Sequence, residues 1–253
     1  MEYYEIDGTY WASVRPYKDD QDSYQWRIEL GGKRKNCIAL TYYTNEPASA
    51  HIEGLTYKAN CNISSDLVRG AGTREMIAVA LSFAKWRFET IETFTLKDMS
   101  SIACDDEALD LAALSLAVYG KTWYERHFHA KLDRDPFIRK ILKEAKMPFP
   151  NFEKQYLRGL DAAMVAEIRS VYDQTTNYQE MFRALKHRAC THLIDWIVDA
   201  MSDLINYNPG LEWIIDDVAY VDVSVVRLSE APDYMRENRR KLFGGRQWPY
   251  GRR

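Results

Sequence analysis

Leu67-Val68-Arg69-Gly70-Ala71-Gly72-Thr73-Arg74-Glu75-Met76 decides how this chain is read, because two glycines one residue apart stand where an extended run ends and a helix begins. Residues 50–63 ahead of them have strand composition. After them, residues 73–88 carry Met76, Ile77, Ala80, Leu81 and Ala84 at the spacing of one buried helix face. Glycine has no Cβ, so backbone amides at such a junction can approach a charged ligand, and the helix N-terminus behind them adds about half a positive charge. Strand, glycine turn and helix together make a candidate phosphate cradle. A helix cap or an ordinary turn produces the same glycine pair. A Walker loop would end in Gly-Lys-Ser/Thr, and a dinucleotide fingerprint would add a third glycine and an acidic residue about 20 positions on; this junction has neither.

Toward the N-terminus, residues 9–14, 24–30 and 37–43 alternate in the strand manner. Gly31-Gly32-Lys33 and Asn45-Glu46-Pro47 act as punctuation, which predicts an antiparallel meander. Beyond the glycine-led helix, residues 91–96 read as a strand parallel to the run from residue 50, joined to it by a right-handed crossover. A helix is expected from near Asp105, with Leu109, Ala112, Ala113, Leu116 and Ala117 on one face and Gly120 as its stop. Residues 133–208 read as helical, interrupted at Pro148 and Pro150, and strand character returns at 213–215 and 218–226. The expected fold class is α/β of the α+β kind, a mixed and mostly antiparallel sheet with an inserted helical subdomain. Its parts are a core over 1–132, helices over 133–210, returning strands over 211–229 and a basic tail over 230–253.

The chain has 253 residues, 46% of them hydrophobic, and a formal charge of -3, which argues against a general nucleic-acid binder. No apolar run reaches a membrane span, and Met1-Glu2-Tyr3-Tyr4-Glu5 lacks the basic and apolar regions of a secretory signal, so an intracellular protein with no membrane partner is expected. The four cysteines form no CxxC pair and read as buried thiols. His187, Cys190 and His192 share no helix face, so no metal is expected. His127 and His129 flank Phe128 as on one side of a strand. No Gly-x-Ser-x-Gly elbow appears. Residues 236–253 are rich in arginine and carry Phe243, Trp248 and Tyr250, which suits either a solvated extension or a contact with nucleic acid or an acidic protein surface.

The glycine segment resembles the signature of the GNAT superfamily of N-acetyltransferases, Gln/Arg-x-x-Gly-x-Gly/Ala; Gly70 and Gly72 match, and Leu67 stands where Gln or Arg is usual. The order of elements is similar over about half of the chain. The resemblance implies a splayed parallel pair of strands, with acetyl-CoA or another acyl-CoA held by the backbone of Val68, Arg69, Gly70, Ala71, Gly72 and Thr73. The pantetheine arm would lie between the run containing Glu53 and the strand Thr93-Phe94-Thr95-Leu96. Gly120 to Phe128 resembles the family's Tyr-Glu-Lys-x-Gly-Phe stretch, which implies Tyr124 as the acid at the departing thiolate, and a fourth-strand carboxylate, here Glu53, is the family's frequent base. The acceptor would be an amine on a small molecule or a protein. The helical pair that the family places between its first two strands is missing here. The string Gly120 to Glu125 is also similar to sequences of large DNA viruses of eukaryotes. The alternative is therefore a non-catalytic structural or interaction protein, such as a virion component, in which Glu53 faces solvent and Tyr124 is a core aromatic.

Overall fold

The computed structural model describes residues 1–18, 24–31, 36–44, 48–55, 71–98, 101–104, 107–132, 135–188, 200, 202–205, 212–216 and 218–232. In chain order it forms β1 (Glu2–Ile6), β2 (Tyr10–Lys18), β3 (Tyr24–Gly31), β4 (Asn36–Tyr43), β5 (Ser49–Leu55), α1 (Ala71–Arg87) and β6 (Thr93–Lys97). Then come β7 (Ser101–Cys104), β8 (Glu107–Asp110), α2 (Leu111–Tyr119), α3 (Trp123–Phe128), α4 (Asp135–Lys143), α5 (Phe149–Tyr156), α6 (Ala162–Gln174), α7 (Tyr178–Leu185), β9 (Glu212–Ile215) and β10 (Val225–Leu228). The chain divides into two compact units, Met1–Leu96 with Asp216–Arg253, and Lys97–Ile215.

In the first unit the sheet runs in the order β10-β1-β2-β3-β4-β5-β6. Every neighbouring pair is antiparallel except β5 and β6, which are parallel. The period of two explains its faces. Ala12, Val14, Ile28, Leu30, Ile38, Leu40, Ala50, Ile52, Phe94 and Leu96 are buried, and the intervening positions carry Arg15, Arg27, Glu29, Thr41, His51 and Thr95. The apolar face packs on α1, which buries Met76, Ile77, Ala80, Leu81, Phe83 and Ala84, with Tyr4 edge-on to Phe83 at 5.2 Å. This is a mixed α/β architecture with a mostly antiparallel sheet. The helix begins at Ala71, two residues before the expected Thr73.

One strand of this unit escapes sequence reading and another is shorter and later than expected. β1 pairs with both β2 and β10, after a turn in which Asp7 and Gly8 take φ of 52° and 63°. The strand expected over 218–226 is confined to Val225–Leu228. Ahead of it the backbone uses side-chain acceptors instead of a ladder: Val221 N donates to Ser82 Oγ at 2.9 Å, and Ser224 N to Asp7 Oδ1 at 2.7 Å.

In the second unit, β7 and β8 form a hairpin where the sequence suggests the start of a helix, and Leu109 belongs to β8. The helix starts at Leu111 because Asp110 is its cap, accepting from Ala112 N and Ala113 N at 2.8 and 2.9 Å. His127 and His129 lie on α3 and its left-handed cap rather than on a strand. Pro148 and Pro150 open α5, since a proline's missing N–H falls where a first helical turn makes no bond. The C-terminus of α6 is closed by Lys146, whose ammonium donates to Tyr172 O and to Thr175 Oγ1 (2.8 Å) and lies 4.0 Å from the Tyr172 ring centroid.

One expectation is overturned outright. Cys37 and Cys104 are buried, and each is a disulfide-bonded residue, not a free thiol. Cysteine spacing does not reveal what folding brings within bonding range. Disulfides persist mainly in oxidising compartments, so the cysteines give no support to a reducing location. No described helix is long and apolar enough to cross a membrane.

Candidate functional site

The parallel ladder of the first unit runs from Ser49↔Thr93 to Ile52↔Leu96. β5 continues to Leu55 against β4, but with a bulge: Leu40 faces Ile52 and Ala39 faces Gly54, leaving Glu53 as the extra residue. A bulge re-aims the side chain it carries. Glu53 Oε2 accepts from Arg27 Nη1 and its Oε1 from Thr41 Oγ1. Thr41 is fully buried, whereas the Glu53 side chain remains 31% exposed.

These partners belong to a polar row. Arg15, Arg27, Thr41, His51 and Thr95 are successive cross-strand partners from β2 to β6, and His51 Nδ1 lies 2.9 Å from Thr95 Oγ1. Glu29 joins it, accepting from Arg27 Nε at 3.0 Å and lying 3.9 Å from Arg15 Nη2. Burial works against the Arg27 charge, yet the bonds to Glu29 and Glu53 outweigh it and raise the guanidinium pKa. Arg27 is thus a permanent cation holding Glu53 in place. Each carboxylate oxygen keeps a further lone pair, so Glu53 can still accept from an amine at the exposed side.

Of the expected cofactor segment, Val68, Arg69 and Gly70 lie outside the described residues. Ala71, Gly72 and Thr73 form the first turn of α1, with Gly72 buried and Thr73 half-buried. The first amides of a helix have no intrahelical acceptor, and no acid occupies this first turn to offset their partial charge. The next acid, Glu75, is engaged by Tyr10, whose hydroxyl donates to Oε1 at 2.6 Å.

Tyr124 belongs to the second unit, on α3, and is 9% exposed. Its ring stands edge-on to Trp123 at 5.1 Å. Burial, and then the charge of buried Asp98, push its pKa far above the ordinary phenol value, so the hydroxyl stays protonated at neutral pH. The α3 helix that carries it is capped by Thr122, which is fully buried and accepts from Glu125 N at 3.2 Å. Cys190, His192 and the arginine-rich tail fall outside the described residues, and His187 Nδ1 lies 2.8 Å from Ala184 O.

Arg27, Thr41 and Asp98 were missed as site residues by sequence reading. Alternation does assign Arg27, Thr41 and Glu29 to one face, but which of them meets Glu53 depends on register and on a bulge that no local pattern announces. Neither a protein-family model, nor a curated protein, nor a solved structure matches the chain, so the functional reading rests on these residues and their chemistry.

Proposed function

We propose that the chain is an acyl-CoA-dependent N-acyltransferase that uses acetyl-CoA to acylate an amine. One observation carries this reading: the parallel ladder ends at Ile52↔Leu96 while β5 runs on through the bulged Glu53 to Leu55. A thioester arm can lie along such an edge as an added strand, pairing with backbone amides. The acid-free first turn of α1 supports the reading, since its amides can donate to the diphosphate. In the reaction the amine nitrogen attacks the thioester carbonyl, a C–N bond forms, the C–S bond breaks, and Glu53 takes the amine proton. The thiolate leaves and takes up a proton from water. Melting with and without acetyl-CoA is the test. A ligand of the native state at 100 times its Kd contributes about 2.7 kcal/mol, a plain rise in the midpoint. No rise at millimolar acetyl-CoA would remove the reading; a rise with unchanged turnover in Glu53→Gln would remove only the assigned base.

A specific observation favours a second reading, a non-catalytic structural or interaction protein. Both Glu53 oxygens already accept bonds within the sheet, and Tyr124 is buried. On that reading Glu53→Gln lowers stability and acetyl-CoA has no effect on the melt.

A further inference from the structure

We propose that a cavity of about 180 Å³ in the second unit binds the phosphate group of a small molecule. The polar part of its wall, with Gly120, is made by Lys121 after α2, by Arg139 and Lys143 on one face of α4, and by Gln179 and Arg183 on one face of α7. Arg139 and Lys143, like Gln179 and Arg183, are four residues apart, so each helix points its pair into the same space. Four of the eight described lining residues are cationic, and no acid is found among them.

The nearby acids are already engaged. Glu125 Oε1 is bound by Arg139. Glu180 turns to Thr176, accepting from its N at 2.8 Å and its Oγ1 at 2.7 Å, and Glu144 lies 3.8 Å from Lys140. Lys121, Lys143 and Arg183 have no carboxylate partner among the described residues. Beside the cavity, Arg126 and Lys186 approach the ring of Tyr119, itself part of the wall, at 5.3 and 5.9 Å, adding to the local positive charge. In a chain of net charge -3 this is a local arrangement rather than a consequence of composition. Like charges gathered round a cavity repel one another, and a bound anion turns that repulsion into attraction. The donors suit a phosphate: guanidinium, ammonium and the Gln179 amide present several N–H groups to an ion with several acceptor oxygens. The volume admits a phosphate or diphosphate but not a nucleotide, so any organic portion would extend through the open side.

Inorganic phosphate and glycerol phosphate, titrated at low salt and without acetyl-CoA, test the proposal by calorimetry. Both should bind saturably, the monoester at least as tightly as the free ion. Lys143→Gln and Arg183→Gln, on exposed side chains, should each weaken binding about tenfold, the worth of one charge-assisted bond. Lys154→Gln, on α5 and outside the cavity wall, should leave it unchanged. Lys121→Gln, on the turn, repeats the measurement if either helix variant folds poorly. No saturable binding at millimolar phosphate, exclusion of the monoester, or binding that none of the variants weakens would overturn the proposal. Because the acyl-CoA reading is carried by Glu53 and the β5–β6 edge of the other unit, and this test uses no acetyl-CoA, the two can fail separately.

Discussion

Gly120 ends α2 at φ 69°, a conformation that costs a residue with an L side chain about 1 to 2 kcal/mol. An added Cβ would also lie 2.8 Å from Gln179 Nε2, but that atom is the far end of a flexible chain and can swing away. Gly120→Ala should therefore lose about 1 to 2 kcal/mol in urea titration, and adding Gln179→Ala should restore little of it. Full restoration would mean the clash, not the backbone, sets the cost. Glu2 offers a pH test. Burial raises its pKa, but bonds from Tyr4 and from Arg87 (Nε to Oε2, 3.0 Å) and the charge of Arg227 prevail and lower it from 4.5. A carboxylate with a lowered folded pKa contributes stability above its unfolded value and loses that contribution as pH falls through the folded one. Glu2→Gln should flatten the fall in stability on the acid side of pH 4.5; an unaltered acid limb in the variant would contradict this.

At the scale of elements, the junction of β4 with β5 is held by side chains as well as by its ladder. Thr41→Val keeps the volume but removes the hydroxyl that donates to Glu53, and should cost about 1 to 2 kcal/mol. The same change made on Glu53→Gln should cost measurably less, and an equal cost in both backgrounds would deny the coupling. Cys37 on β4 is disulfide-bonded, so Cys37→Ser should cost about 2 to 4 kcal/mol, and a reducing agent should lower the melting midpoint of the parent protein but barely that of the variant lacking both Cys37 and Cys104. Period-two alternation made β2, β3, β4 and β5 legible, because one buried face leaves a trace along each strand. β8 was hidden because Leu109 also fits the spacing of the helix that follows it, and only the Asp110 cap marks where that helix starts. β1 has a weak pattern of its own, with Tyr4 and Ile6 buried by neighbours on both sides.

On the scale of the whole molecule, the residues proposed for acyl transfer at the sheet and those lining the cationic cavity share no member and belong to separate units. Lys143→Gln should leave the acetyl-CoA shift intact, and Glu53→Gln should change phosphate affinity by less than about twofold; larger cross-effects would show that the units communicate. The sequence by itself determined the mixed α/β class, the antiparallel meander and the parallel strands either side of the glycine-led helix. Each follows from periodicity, turn residues and caps that act over a few neighbouring positions. Tertiary structure alone decided that Glu53 is bulged and held by partners 26 and 12 residues away, that Cys37 and Cys104 are oxidised, and that lysines and arginines from α4, α7 and the turn at Gly120 surround one cavity. The physical reason is that pairing register and helix docking are fixed by the packing of the whole chain. A charge therefore acquires its partner, or is left without one, only when distant segments meet.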